Sequence, residues 1–417
     1  MVTFTGFQYL LIDIANHFGL DKLLFEERIE WATTHLDTLE AHTHTAENKP
    51  LFIAAVMALR RAQKGETIGH LVGWDGVCSG IQIMSAVTGC VAGATATGLV
   101  NPNVRADAYT FVTDEMNTIL QSQGLQVSVP RAAAKDALMT SFYGSKAKPI
   151  EIFGEDTPEL DAFYQAAIAV APGAWELLQD LLASWQPYAL EHSWKLPDGF
   201  DARVKVMQKN EARIEVDELD HATFTYEFYE NAGSKKGLSN VANVIHSIDA
   251  YVLRSMHRRC NYNTEVVNSA LTYLRHEQWF RSKHHTAPTG NAPSDKLAYY
   301  IDQYNRSGMP DAVIFNHFSQ YLDTITLSNK HVMSLIELAE SMLNHRPFEI
   351  VTIHDEFKCH PNNCNHLRQH YIDILASLAE STILSDILSQ LHGVQGKYNK
   401  LSNDLGAKIR LSNYALS

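Results

Sequence analysis

Two aspartates, Asp75 and Asp355, each follow a short apolar segment and lie far apart in the sequence. Residues 70–75 run into Asp-Gly, which is typical of a buried strand followed by a turn, and residues 348–353 run into His-Asp-Glu in a similar way. Carboxylates at two strand ends could hold a pair of Mg²⁺ ions about 3.5–4 Å apart, as phosphoryl and nucleotidyl transfer require. A single aspartate after a strand is more often a turn residue, so the surrounding residues must decide between the two interpretations.

A pair of cations, Arg131 and Lys135, offers a second chemical feature. Pro130 followed by a run of strong helix formers predicts a helix from residue 131 to about Tyr143, which Gly144 then ends. Residues four apart lie on one helical face, so both cations could bind one anion, and Tyr143 follows two turns later. A solvated basic face and a core aromatic are the ordinary alternatives for these residues.

The elements that would position these residues are mostly helical. Apolar residues recur at helical spacing through the first 65 residues, and a long helical stretch is predicted over residues 153–189. Between residues 194 and 229 the period changes to two, which indicates a β-hairpin at about residues 202–226. Helices return from Asn243, and residues 284–295 have the composition of a loop.

Three segments resemble the sequence motifs of single-subunit RNA polymerases, the phage and mitochondrial group. Residues 75–82, Asp-Gly-Val-Cys-Ser-Gly-Ile-Gln, resemble their motif A, Asp-Gly-Ser-Cys-Ser-Gly-Ile-Gln, and differ from it only at Val77. Residues 131–146 resemble motif B through Arg131, Lys135 and Tyr143. Residues 353–355, Ile-His-Asp, resemble motif C. Three motifs in the right order make a far more specific resemblance than any one of them.

The resemblance implies a fold and its division. The expected class is α+β, predominantly helical, with a right-hand polymerase fold: a palm with a small antiparallel sheet, helical fingers, and the N-terminal domain and thumb missing. Residues 1–103 would form the first part of the palm with motif A, and residues 104–246 the fingers with the motif B helix and the hairpin. Residues 247–417 would form the second part of the palm with motif C and a C-terminal foot, interrupted by a helical insertion at about residues 257–335.

The resemblance also implies an activity and roles for individual residues. The chain would be the catalytic subunit of a DNA-directed RNA polymerase, which transfers ribonucleotides on a template with two Mg²⁺ ions. The implied metal ligands are Asp75, Gly76 and Asp355. The implied catalytic residues are Asp75, Asp355, Lys135 and Tyr143, and the implied substrate-binding residues are Lys22, Gly80, Arg131, Tyr143 and His246.

The sequence is similar to the larger subunit of the split RNA polymerases of N-four-like podophages. This implies that the partners are a DNA template, an RNA product, ribonucleoside triphosphates and a smaller subunit with the thumb and an Asp-x-x-Gly-Arg segment, which does not occur here. We expect that subunit to dock near Phe4, Phe7 and Leu11. A single-stranded DNA-binding or promoter factor is a further expected partner, no membrane is expected, and the expected location is the cytoplasm of the infected bacterial host.

Three other interpretations compete with this one. A family A DNA polymerase also has His-Asp-Glu in motif C, but it places a glutamate where this chain has Gly80 and an aromatic residue where it has Met139, so ribonucleotides are favoured. A non-catalytic subunit would be expected to have lost Asp75, Lys135 or Asp355, and all three are present. A zinc site would need a second ligand pair beside the one short segment that contains Cys359, His360, Cys364 and His366.

The composition weighs against nucleic-acid binding. The net charge is −13, whereas phosphates attract a basic surface. We expect the basic residues within 131–148 and 254–259 to line a nucleic-acid cleft while the acidic residues lie elsewhere. The predicted hairpin is rich in acidic residues, which read the major groove poorly, so promoter recognition is expected to need help from another factor.

Overall fold

The computed structural model describes residues 1–230, 238–319 and 325–417. The protein is mostly helical with small antiparallel sheets, which confirms the predicted fold class. The helices are α1 Gly6–Ala15, α2 Phe25–Thr34, α3 Lys49–Gln63, α4 Ser79–Thr88, α5 Val91–Ala96, α6 Ala108–Ser122, α7 Arg131–Ser141, α8 Ala147–Phe153, α9 Pro158–Val170, α10 Pro172–Ala183, α11 Leu238–Cys260, α12 Thr264–His284, α13 Asp295–Ser307, α14 Asn329–Leu343, α15 Cys364–Glu380, α16 Ile383–His392 and α17 Leu405–Ile409. The strands are β1 Val72–Asp75, β2 Glu191–Lys195, β3 Asp201–Lys205, β4 Gln208–Val216, β5 Ala222–Glu230, β6 Val351–Ile353 and β7 Glu356–Cys359.

A three-stranded antiparallel sheet in the order β1-β7-β6 brings the two predicted motif strands together. His354 and Asp355 connect β6 to β7, and His354 takes a φ of +55°, a left-handed conformation in which histidine is enriched among residues other than glycine. The predicted strand over residues 348–353 is shorter than expected. Its first part leaves the sheet because the Phe348 amide donates to the Cys260 carbonyl at the end of α11, at 2.9 Å.

Trp74 anchors β1 in the main hydrophobic core. Its indole is fully buried and meets the rings of Tyr9 and Phe25 edge-on, with centroids 5.3 and 5.7 Å away. The indole N–H donates to the Cys364 sulfur at 3.3 Å, so its one polar group is satisfied. Because side chains alternate across a strand, this burial of Trp74 turns the next residue, Asp75, to the opposite side.

Two helical stretches are each divided in the structure. Gly89, whose φ is +75°, ends α4 before α5 begins. The stretch predicted from residue 153 to 189 contains α9 and α10, Pro172 is the first residue of α10, and residues 184–189 are not helical. Both breaks follow the local rules for glycine and proline.

The region predicted as one β-hairpin at about residues 202–226 forms two hairpins. β3 pairs with β2 across the turn at Gly199, whose φ is +81°, and β4 pairs with β5 in a separate ribbon. The strands of this region are confirmed, but they form two hairpins and not one, because β3 turns back on β2 through residues 196–200 and β4 turns back on β5 through residues 217–221. The β4–β5 ribbon leaves Phe224 and Tyr226 more than half exposed.

Helices α12, α13 and α14 surround a second hydrophobic core, separate from the main one. This core falls in the region predicted as a helical insertion at about residues 257–335, of which residues 320–324 lie outside the described part. The predicted boundaries at 246 and 257 both fall inside α11, which therefore continues from the main core into this region. The domain boundaries themselves stay predictions.

Two further findings concern the surface of the molecule. In the described ranges, none of the helices combines the length and apolar character needed to cross a membrane. The expected docking surface near Phe4, Phe7 and Leu11 is mostly core: Phe4 and Leu11 are buried, and Phe7 is 39% exposed. The helical periodicity of this segment therefore serves internal packing.

Candidate active site

The two motif aspartates meet at the end of the β1-β7-β6 sheet. Asp75 is the last residue of β1 and lies opposite Glu356, the first residue of β7, in the strand register. The Gly76 amide donates to the Asp355 carbonyl at 3.2 Å. A carboxylate oxygen of Asp355 lies 3.5 Å from the point where a side chain on Gly76 would begin. The structure thus brings Asp75, Gly76 and Asp355 together, as the sequence predicts.

The charge around Asp75 is negative. Burial, followed by the charges of Asp355 and Glu356, raises the pKa of Asp75 to about 6. In the described part of the chain, neither Asp75 nor Asp355 forms an ion pair with a basic side chain, and Glu356 pairs with Lys358 at 3.0 Å. Adjacent carboxylates that lack a cationic partner fit a divalent cation with oxygen ligands, such as Mg²⁺.

Tyr143 occupies the space above Gly80. A β-carbon added to Gly80 would lie 2.5 Å from the Tyr143 hydroxyl, so no larger residue fits there without moving the phenol. The Tyr143 ring also packs against His246, with centroids 4.8 Å apart. These residues line a cavity of about 460 Å³ between α4, α7 and α11, and Asp355 lies on its wall. Gly80, Tyr143 and His246 are therefore neighbours, although they come from three separate segments.

Arg131 and Lys135 lie on one face of α7, above the ring of Tyr109. The guanidinium carbon of Arg131 is 5.4 Å and the amine of Lys135 is 5.8 Å from the ring centre. Arg131 also donates to the Asp107 carboxylate at 2.6 Å, whereas Lys135 is exposed and forms no ion pair with any described residue. The shared face is as predicted, but an anion that binds Arg131 must compete with Asp107.

Lys22 lies between the two aspartates and the cations of α7. It lines the cleft of about 550 Å³ beside Asp75, and it also lines a neighbouring cleft that reaches Arg131. Its amine pairs with the Asp21 carboxylate. The structure therefore places a cation between the two motif regions, where a polyanion that spans both would pass.

Residues 412–417, the predicted foot, lie against the strand that carries Asp75. Tyr414 stacks on Phe25 with ring centroids 4.5 Å apart, and the Ser417 amide donates to the Asp75 carbonyl at 3.1 Å. Gln82 of the motif A segment donates to the Ala415 carbonyl at 2.9 Å. This segment therefore supports the backbone on which Asp75 is held.

Comparisons with known proteins found similar sequences among RNA polymerases. A family model described as DNA-dependent RNA polymerase matches residues 2–151, the part that contains Asp75, Lys135 and Tyr143. The DNA-directed RNA polymerase of Pseudomonas phage phiKMV is 24% identical over 303 residues, which cover 59% of this chain and 37% of the phage protein. This chain is thus similar to phage-type RNA polymerases over part of its length.

Two further similar proteins come from a second phage and from a plant mitochondrion. The DNA-directed RNA polymerase of Enterobacteria phage T3 is 28% identical over 216 residues, which cover 40% of this chain and 24% of the T3 protein. The mitochondrial DNA-directed RNA polymerase 1 of Arabidopsis thaliana is 28% identical over 172 residues, which cover 34% of this chain and 18% of the plant protein. The match thus spans well under half the length of each of these relatives.

Three residues that sequence reasoning missed also line the candidate site. Tyr109 packs under the two α7 cations, and Arg105 lines both clefts that Lys22 lines. Asp249 lies one turn after His246 on α11, and burial together with the charge of Asp355 raises its pKa to about 6. The spacing of Asp249 from His246 could have suggested a shared helical face. Arg105 belongs to none of the three motifs, and only its position in the folded chain shows that it lines the candidate site.

The zinc interpretation gains no support from the structure. The sulfurs of Cys359 and Cys364 lie 3.6 Å apart and both residues are buried, but His360 and His366 do not join them in a ligand group. In the parts of the chain that are described, the single cluster of three possible metal ligands lies at the exposed tip of the β4–β5 ribbon and consists of Glu215, Asp217 and His221. The two cysteines pack in the main hydrophobic core.

Proposed function

We propose that this chain catalyses template-directed transfer of ribonucleotides to the 3′ end of an RNA chain, as part of a DNA-directed RNA polymerase. The observation that carries the proposal is the meeting of Asp75 and Asp355 at one end of the three-stranded sheet, without basic partners, beside the cleft formed by α4, α7 and α11. The match of residues 2–151 to the RNA polymerase family model and the names of the phage relatives support the same reaction.

Two Mg²⁺ ions fit the carboxylates of Asp75 and Asp355 together with the Gly76 backbone. When bound, the ions would neutralise the charge of the attacking and leaving oxygens in nucleotidyl transfer. The raised pKa of Asp75 supports this assignment, because a divalent cation would offset the repulsion that Asp355 and Glu356 exert on that carboxylate. The assignment of these ligands remains a proposal.

The remaining site residues would bind and orient the incoming nucleotide. Lys135 is the cation of α7 that is free of an ion pair, and we assign it to the triphosphate together with Lys22 and Arg131. Tyr143 and His246 would contact the sugar and base, since their rings pack together at the wall that Asp355 shares. Gly80 would keep that wall free of a side chain.

The polymerase proposal includes further partners. We propose that the chain works on a DNA template with a second polypeptide, the smaller subunit expected from the resemblance to split polymerases, in the cytoplasm of an infected bacterium. The net charge of −13 supports the need for such help, because duplex binding depends on neutralising phosphates. A promoter or single-stranded DNA-binding factor belongs to the same proposal.

Primer extension tests the assignment of the two aspartates. Asp75→Asn and Asp355→Asn should each reduce extension of an RNA primer on a DNA template at least about 1000-fold, because each removes a proposed metal ligand. Asp136→Asn, which changes an exposed carboxylate on α7, is the matched control and should retain activity. Each variant is assayed alone and with the candidate smaller subunit, and circular dichroism checks its fold.

The same assay decides between the two nucleic-acid polymerases. Extension with ribonucleotides and little with deoxyribonucleotides supports the proposal, and the opposite preference would favour the DNA polymerase interpretation suggested by His-Asp-Glu at residues 354–356. Full extension by Asp75→Asn or Asp355→Asn would refute the proposed metal ligands.

A further inference from the structure

A cleft of about 340 Å³ lies between the second hydrophobic core and the main one, and none of the residues of the three motifs lines it. One wall comes from α13 and α14, and the other from α15, the end of α11 and the segment after α17. Its volume is in the range of pockets that hold small organic molecules. None of these residues belongs to the proposed polymerase site, so the cleft is a separate candidate binding site.

Arg259 at the end of α11 is the unusual residue of this cleft. It is 2% exposed, yet its guanidinium forms no hydrogen bond and no ion pair with any residue that the structure describes, and its Nε is fully enclosed. The preceding residue shows the normal situation, because Arg258 pairs with Asp311 at 2.7 Å and with Asp198 at 3.2 Å. A buried charge without partners is costly, so the Arg259 guanidinium requires an acceptor.

The other residues of the cleft do not supply that acceptor. Glu380 is bound by Arg410 through both of its oxygens. Asp373 accepts from the Gln369 amide at 3.0 Å and does not reach ion-pair distance from Arg259. Burial lowers the pKa of Arg259 and raises that of Asp373, which is the result expected for two charges that compensate each other poorly.

The charges of the cleft select among anions. Once Arg410 and Glu380 are counted as a pair, Arg259 and Lys330 face Asp373 and Glu337, so the lining is close to neutral. A dianionic phosphate would be repelled by the two carboxylates, whereas a single carboxylate matches the planar fork of one guanidinium. The hydroxyls of Ser334 and Ser377 line the same space and can accept hydrogen bonds from the rest of such a ligand.

We propose that this cleft is a binding site for a small organic molecule with a single carboxylate, free amino acids included, and that Arg259 binds the carboxylate. The occupant would fill the space between α14 and α15. It would therefore brace the region of α12–α14 against the main core, at the far end of the helix that carries His246 and Asp249. This site is independent of the proposed polymerase activity.

Thermal unfolding of the full chain tests the proposal, with acetate and glycine as the probes and chloride at equal ionic strength as the reference. Each probe should raise the Tm of the wild type by about 1–3 °C at a concentration well above its Kd, because a ligand of the native state stabilises it. Arg259→Met should abolish this rise. It should also be at least as stable as the wild type without probe, since it removes a buried charge that has no partner.

Arg275→Met is the matched control, because it removes an exposed arginine outside the cleft that pairs with Glu340 at 2.8 Å, and it should keep the response to the probes. Arg259→Lys keeps the charge but loses the planar fork, and it should respond only weakly; it serves as the test variant if Arg259→Met does not fold. Calorimetric titration with each probe measures binding directly. No rise in the wild type, an equal rise in Arg259→Met, or a response to inorganic phosphate alone would overturn the proposal.

Discussion

The phenol of Tyr143 lies where a side chain at residue 80 would have to be. Sequence reasoning gave Gly80 the role of leaving room for a ribose, but in the structure the nearest atom to that space is the Tyr143 hydroxyl, at 2.5 Å from an added β-carbon. Glycine is therefore needed first of all to let Tyr143 approach α4. The role of Gly80 in sugar selection stays a prediction, now through the position of Tyr143.

Substitutions at these two residues should be coupled. Gly80→Ala should reduce primer extension by at least about 10-fold, since its methyl group would displace the Tyr143 hydroxyl from the cavity wall. Tyr143→Phe should retain most of the extension activity and raise the use of deoxyribonucleotides relative to ribonucleotides, because the proposed contact with the 2′-hydroxyl is lost. The double variant should be more active than Gly80→Ala alone, because the closest atom of the clash is absent.

A double-mutant cycle on extension rates measures this coupling. Gly69→Ala is the control for the glycine, since an added β-carbon there meets no atom within 4 Å. Strictly additive effects would show that Gly80 does not act through Tyr143. An unchanged ratio of ribonucleotide to deoxyribonucleotide use in Tyr143→Phe would remove that residue from sugar selection.

Asp75 should make the stability of the metal-free protein depend on pH. Its pKa of about 6 in the folded chain exceeds the ordinary 3.8, so the folded state holds the proton more tightly than the unfolded state. The contribution of Asp75 to stability therefore falls as the pH rises from about 4 to about 6 and stays low above that. In a chelator, Asp75→Asn should gain Tm relative to the wild type between pH 5 and pH 7.

Thermal unfolding over this pH range, with Asp136→Asn as the control, provides the measurement. The gain of Asp75→Asn should shrink when Mg²⁺ is added, because a bound cation would stabilise the wild-type carboxylate. If the difference between Asp75→Asn and the wild type stayed constant from pH 5 to pH 7, the charge environment derived for Asp75 would be wrong.

At the scale of elements, α11 connects the candidate site to the rest of the molecule. Its first half carries His246 and Asp249 on the cavity wall, and its second half carries Arg254 and Arg258. Arg254 donates to Asp198 in the β2–β3 turn at 2.6 Å, and Arg258 bridges that aspartate to Asp311. One helix thus links the candidate site, a hairpin and the region of the second core through nearly buried ion pairs.

Breaking this link should be costly. Asp311→Ala should lower the free energy of unfolding by about 3 kcal/mol, because it leaves Arg258 with half of its compensation in a largely buried position. It also removes the carboxylate that accepts from the Val313 amide at 2.9 Å. Urea unfolding measures the loss, and primer extension shows whether the candidate site responds to it.

Asp302→Ala is the control for this prediction. Asp302 pairs with Arg306 at 3.1 Å but is 64% exposed, so its loss should cost less than about 1 kcal/mol. Similar losses for Asp302→Ala and Asp311→Ala would mean that the buried pair contributes no more than a surface pair.

At the scale of the whole molecule, two separate hydrophobic cores each stabilise a different part of the chain. The main core includes β1, α4, α11 and α15, whereas the second core is smaller and depends on α12, α13 and α14. A smaller core buries less apolar surface, so its helices should open at lower free energy. Exchange of amide hydrogens measured by mass spectrometry should be faster in α12 and α14 than in α4 and α15.

The cleft at Arg259 provides a check on that expectation. Acetate or glycine should slow exchange in α14 if the proposed ligand braces it, and Arg259→Met should remove this effect. Equal protection of α14 and α15 without any probe would show that the two cores unfold as one unit.

The sequence by itself determined the features that are encoded locally. The helical class, the strand ends with Asp75 and Asp355, and the common face of Arg131 and Lys135 follow from periodicity and from motifs of a few residues. The breaks at Gly89 and Pro172 are equally local, and sequence reasoning could have placed them. These features depend on residues within one or two helical turns of each other, so they can be read from the local sequence.

Only the tertiary structure decided which distant residues meet. It placed Tyr143 over Gly80, paired Arg131 with Asp107, and divided the predicted hairpin so that β3 pairs with β2. It also brought Arg105 to the site and left Arg259 buried without a partner among the residues that the structure describes. Such contacts depend on the packing of the whole core, and the local sequence fixes which side chains face that core but not which distant residues they meet there.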